Sequence, residues 1–163
     1  MPLYVPDAVL LEIGKIAVWF SRIERQIALL LEEFARIKEA EEKTPSGFHK
    51  LADRTGSLLK AQFGEKHRYH ERFRKFRVEM SAIAKERNTA VHSLWSFGPT
   101  FESSSAVRVE TERAHRQIRH ETTVVSIEEL RDLVARLEGL DWEISDLRIR
   151  ICHYEVDSWV VQN

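Results

Sequence analysis

Two segments of this chain, one near each end, carry apolar residues at alternating steps of four and three. A stripe of that period lies along one side of a helix and cannot line one face of a strand. In the first segment it runs Val9, Ile13, Ile16, Phe20, Ile23, Ile27, Leu30, Phe34, Ile37, widened by Leu10, Ala17 and Leu31. In the last it runs Leu133, Leu137, Leu140, Ile144, Leu147, Ile151, Tyr154, with Leu130 and Trp159 beyond its ends. Each stripe needs a long amphipathic partner, and each segment can serve the other. Six Gly and four Pro in 163 residues leave little room for a turn-dense all-β fold. The expected class is therefore mostly α, an antiparallel bundle of about four helices. A dimer seam along the last helix is the alternative use of its repeat.

The punctuation divides the chain into helices at about 7–42, 48–63, 65–92 and 126–160. Pro6-Asp7 opens the first, with the acid near the positive end of the helix dipole. Charged residues 38–43 carry it to a break at Thr44-Pro45-Ser46-Gly47. The second turns Phe48, Leu51, Ala52, Leu58 and Leu59 inward, is weakened by Gly56 and stops at Gly64. The third has the stripe Phe73, Phe76, Met80, Ile83, Arg87, Val91. After it the texture changes. Phe97-Gly98-Pro99 breaks the helix, and residues 107–111 and 122–125 are β-rich. They predict a small β-hairpin insertion within about 94–125, the hairpin excursion itself at about 100–125. Ser126-Ile127-Glu128-Glu129 has capping-box spacing at the start of the last helix. The whole, residues 1–163, is expected to be one domain.

Composition excludes several classes. A formal charge of −1 argues against nucleic-acid binding driven by net charge, though a local patch remains open. The single Cys152 rules out an internal disulfide and a cysteine metal cage, which suits a reducing compartment. No apolar run is longer than that of residues 27–31, which is only five residues, so neither a signal peptide nor a membrane span is expected. The six glycines form no phosphate-binding loop. The expectation is a cytoplasmic protein with no cofactor and no membrane partner.

Chemistry concentrates at Arg87-Asn88-Thr89-Ala90-Val91-His92. Arg87 occupies a stripe position where a Leu belongs, and a guanidinium there costs several kcal/mol unless it is paired or meets a wet cleft, roughly. Residues five apart diverge by about 140° on a helix, so Arg87 and His92 of one chain do not converge unless the helix end frays. Asn88 and His92, four apart, share a face, where the amide can orient the imidazole. A two-fold dimer can instead join one subunit's Arg to the other's His.

This Arg-polar-x3-His pattern, late in a long helix, resembles the signature of the HEPN superfamily of small helical bundles. The resemblance covers the helices but not residues 100–125. It implies a metal-independent endoribonuclease, a toxin or a defence or stress element, working as a homodimer with an RNA substrate and an antidote or other partner protein. The implied catalytic residues are Arg87, Asn88 and His92. The residue types suit that role: an imidazole exchanges protons near neutral pH, and a guanidinium stabilises charge on a phosphate. The resemblance equally allows a non-catalytic dimerisation or protein-interaction module. On that reading Arg87 is pinned by Glu24 or Glu32, and His92 caps the last carbonyls of its helix.

Residues 60–77 are basic, with Tyr69, Phe73 and Phe76 interleaved. Lys66, Arg68, Arg72, Arg74 and Lys75 are candidate RNA-backbone contacts, unless they form a solvated face over core aromatics. His67 and His70 have helical metal-ligand spacing with Glu71 beside them, but no third ligand is evident, so no metal set is assigned. His115 and His120 are expected to face solvent. Cys152 and His153 point about 100° apart on a helix, which disfavours a nucleophile–base pair. Trp19, Trp95 and Trp142 offer a third reading, the walls of a small-ligand cavity, though large aromatics usually serve the core.

Overall fold

Each helix begins and ends at a local signal. A computed structural model of the chain describes residues 5–37, 44–92, 94–96, 105–114 and 117–154, with side chains at all of these except 37, 92, 94–96, 105–114, 117–124 and 153–154. Helix α1 spans Asp7–Ile37, and the Pro6 carbonyl accepts from the Val9 and Leu10 amides at 3.0 Å each. The expected continuation to residue 42 lies outside the described residues. Helix α2 spans Phe48–Phe63 and stops at Gly64, whose φ of 91° suits glycine and whose amide donates to the Lys60 carbonyl at 2.9 Å.

Helix α3, Arg68–His92, starts three residues later than the sequence suggests. His67 is the reason. Its carbonyl accepts from the Glu71 amide at 3.0 Å, and its ring Nδ1 accepts from the Tyr69 amide at 3.2 Å. The imidazole thus satisfies an orphan donor in the first turn, the work usually done by Ser or Asp. Helix α4, Ile127–Tyr154, has the expected capping box: Glu129 accepts from the Ser126 amide at 2.7 Å, and Ser126 Oγ accepts from the Glu129 amide at 3.2 Å.

Between α3 and α4 lies a three-stranded antiparallel sheet of order β1-β2-β3. Strands β2 (Ser105–Ala114) and β3 (Gln117–Ser126) are the predicted hairpin, each ten residues and paired from Ala114↔Gln117 to Ser105↔Ser126. Its turn and His115 lie outside the described residues, as does the side chain of His120. Strand β1 (Leu94–Ser96) was not foreseen. It pairs with β2 from Leu94↔Val109 to Ser96↔Val107, so the chain enters the sheet almost directly from the end of α3.

The chain divides into two compact units, Met1–Phe20 with Ile83–Leu137, and Ser21–Ala82 with Glu138–Asn163. The second is all helix. There α2 and α3 form an antiparallel pair, with Phe63 edge-on to Tyr69 at 5.4 Å, Gly56 beside Phe73, and Asp53 paired with Arg77. In the same unit α1 and α4 run the same way: Arg22 meets Asp141 at 3.0 Å, and further along both helices Glu33 and Arg36 act on Cys152. The described residues are thus mostly helical, as expected, with four helices and the hairpin before the last, and within the second unit α1 and α4 share a direction. In the first unit Arg131 of α4 approaches Glu12 of α1 at 3.8 Å.

The four-three stripes form the core. Leu133, Leu137, Leu140, Ile144, Leu147 and Ile151 are all buried within the chain, so these positions are spent on its own core rather than on a coiled-coil seam. Each such side chain contributes about 1.5–3 kcal/mol. Near the start of α1 the pattern slips. Ile13 is only half-buried, Leu10 is exposed, and Glu12 is buried in their place, bonded by Lys15 at 2.9 Å. In α2, Leu58 is half-buried while Thr55 is fully buried. None of the described helices is long and apolar enough to cross a membrane.

Candidate functional site

The buried stripe of α3 delivers Arg87 to its position. Tyr69, Phe73, Phe76, Met80 and Ile83 are buried in sequence along it, and the next step of four lands on Arg87. Beyond it the stripe takes a step of three to buried Ala90, while the expected Val91 is half-buried.

Arg87 itself is half-buried. Its guanidinium lies over the ring of Phe20, 4.9 Å from the centroid, and Nη1 donates to Asn88 Oδ1 at 2.8 Å. Nε is buried with no hydrogen-bond partner among the described residues. No carboxylate pairs with Arg87 among the described residues. Its sequence neighbour Glu86 is engaged elsewhere, accepting from both terminal nitrogens of Arg136 at 3.0–3.1 Å. Glu32, one proposed clasp, accepts from Arg25 at 3.4 Å. The platform is therefore an aromatic face, an arrangement that orients a cation without neutralising it.

Asn88 is exposed, and its side-chain oxygen accepts from Arg87. His92 is the final residue of α3, two positions before the first residue of β1; its side chain lies outside the described residues. Along a regular helix the rise from residue 87 to 92 is about 7.5 Å.

The basic residues divide between two faces of α3. Arg68, Arg72 and Lys75 follow one face at steps of four and three. Arg68 donates to the Tyr69 hydroxyl at 3.1 Å and lies over that ring, and Arg72 donates to Asp146 at 3.1 Å. Arg74 lies on another face with His70 and Arg77. Lys66 is exposed in the turn before α3. Tyr69, Phe73 and Phe76 are buried core, so none offers a ring for a base to stack on.

His67 and His70 do local work. The His67 ring stacks on Phe63 at 4.9 Å while capping α3, and a ring nitrogen of His70 lies 2.8 Å from the Glu65 carbonyl. No group of three or more His, Cys, Asp or Glu among the described residues is arranged to hold a metal ion. Burial pushes the Cys152 thiol up, with Glu33 adding to it, which keeps the sulfur in its unreactive protonated form. Trp142 is 72% exposed and cannot line an internal cavity.

Sequence reasoning missed Phe20. It was read as one more stripe residue, and nothing in a single chain tells which aromatic a cation on another helix will meet. Comparison with family models, curated proteins and solved structures found no match for the chain.

Proposed function

We propose that this chain is a metal-independent endoribonuclease of the HEPN type, acting as a homodimer with Arg87, Asn88 and His92 at its site. One observation carries the reading: Arg87 stands on a core stripe, seated on Phe20 and braced by Asn88, and no carboxylate among the described residues pairs with it. A cation held this way is already oriented for an anion, and little reorganisation is needed when negative charge develops on a phosphate. The nearby acid that would repel RNA, Glu86, is neutralised by Arg136.

In the proposed reaction the ribose 2′-oxygen attacks the adjacent phosphorus and the bond to the 5′-oxygen breaks. His92 takes the proton of the 2′-hydroxyl or supplies one to the departing 5′-oxygen. Arg87 stabilises the charge gathering on the non-bridging oxygens. Asn88 is a positioning residue that acts through Arg87. Because positions five apart diverge by about 140°, the site is completed across a two-fold axis, one subunit's Arg with the other's His.

The test is cleavage of labelled single-stranded RNA by the purified chain in excess chelator. Cleavage that persists there and is lost in His92→Ala, with the fold intact by circular dichroism, supports the reading. Undiminished cleavage by His92→Ala overturns it. The interaction-module reading is favoured if Arg87 proves to be needed for stability and no RNA-directed activity is found.

A further inference from the structure

Outside the Arg87 region, the second helical unit contains a cleft between α2 and α3 of about 320 Å³. Its charged lining is three cations, Lys60, Arg74 and Arg77, against one acid, Asp53, with His70 beside them. We propose that this cleft is a binding site for a phosphate group.

The cations are not equivalent. Arg77 is paired with Asp53, and Lys60 reaches Glu65 at 3.1 Å. The Glu65 carbonyl can only accept, so the His70 Nδ1 that lies 2.8 Å from it carries the proton. Three of the four groups are therefore held by neighbours. Arg74 is exposed and forms no ion pair among the described residues, its charge reaching Glu65 only at a distance, so its fork is open at the cleft. A guanidinium fork matches two oxygens of a phosphate. The Lys60 bond holds the Glu65 carboxyl below its usual range, and the charges of Lys60, His70 and Arg74 add to that.

Gly56 is an independent sign. It stands in the middle of α2, where glycine weakens a helix, and its backbone does not need glycine. A Cβ there would meet Phe73 only at an ordinary 3.6 Å. Close packing thus does not demand glycine either. Gly56 lines the cleft, and a longer side chain would fill it. The volume exceeds that of bare phosphate and falls at the lower end of small-ligand sites, roughly 300–1,000 Å³. The phosphate comes either from a small nucleotide or from an RNA backbone.

Fluorescence anisotropy with a labelled 2′-O-methyl oligouridylate of about eight nucleotides tests this without cleavage. The probe cannot undergo internal attack, so the result is independent of the nuclease reading. Arg74→Ala is expected to weaken binding about tenfold, the usual scale for one charged contact, and Gly56→Gln to weaken it by at least as much, roughly, by filling the cleft. Lys50→Ala, which removes the same charge from exposed α2 surface outside the cleft, is expected to change it less than about threefold. Competition by millimolar uridine monophosphate would identify a small nucleotide as sufficient, and its failure would identify the longer backbone as the ligand. The proposal is overturned if Lys50→Ala matches Arg74→Ala, if Gly56→Gln binds like the parent, or if no saturable binding occurs.

Discussion

Replacing Arg87 by Met separates a guanidinium kept for chemistry from one kept for folding. Met has similar length, fills irregular space and restores the apolar character of the stripe. Two interactions are lost. The stack on Phe20 at 4.9 Å is worth about 0.5–2 kcal/mol depending on desolvation, and the exposed bond to Asn88 about 0.5–1 kcal/mol. Two costs are also removed: the buried Nε without a partner, about 1–3 kcal/mol, and the desolvation of a half-buried charge. The terms nearly cancel. Arg87→Met is therefore expected to leave unfolding free energy within about 1 kcal/mol of the parent, a Tm shift of no more than about 2–4 °C. Breaking a buried ion pair would instead cost about 3–5 kcal/mol. Urea denaturation followed by circular dichroism, run beside the RNA cleavage assay, reads both quantities. A loss of more than about 2 kcal/mol would make Arg87 a structural residue and refute the reasoning.

Other consequences follow from the same geometry. Gly56→Ala should stabilise the chain by about 0.8–1 kcal/mol through helix propensity, because the added methyl meets Phe73 at no closer than 3.6 Å; a lower urea midpoint would contradict this. Asp146→Asn should flatten the acid limb of stability. The Arg150 hydrogen bonds hold the Asp146 carboxyl below its usual range, with Arg72 helping and burial opposing. A depressed folded value adds stability above the unfolded value of about 3.9 and loses it as pH falls through the folded one. The carboxylate is 43% exposed, so solvent screening keeps the effect under about 1 kcal/mol. Urea midpoints at neutral pH and near pH 3 measure it, and equal acid sensitivity of parent and variant would rule it out.

How much of this was legible in the sequence depends on which force sets each feature. The long stripes were readable because a helix repeats its buried face by simple arithmetic, and Leu133 through Ile151 obey it without exception. The capping box at Ser126 and the stop at Gly64 were readable because they are local. The start of α3 was not, since His67 caps it in a role usually taken by smaller polar residues. Strand β1 was hidden because three residues carry no period, and only pairing with Val107–Val109 gives them structure. Burial of Glu12 in place of Ile13 depends on Lys15 and on Arg131, which is over a hundred residues away. Arg87 was visible as an intruder on its stripe, whereas its seat on Phe20 and the cleft around Arg74 depend on helix pairing.

The most direct test of the proposed reaction is the chemistry of the ends on RNA incubated with the chain. Internal attack by the 2′-hydroxyl predicts fragments ending in a cyclic phosphate, formed in chelator and absent from digests with Arg87→Met or His92→Ala. Fragments ending in a free 3′-hydroxyl, or cyclic ends still produced at the parental rate after either substitution, would contradict catalysis by this arginine and histidine.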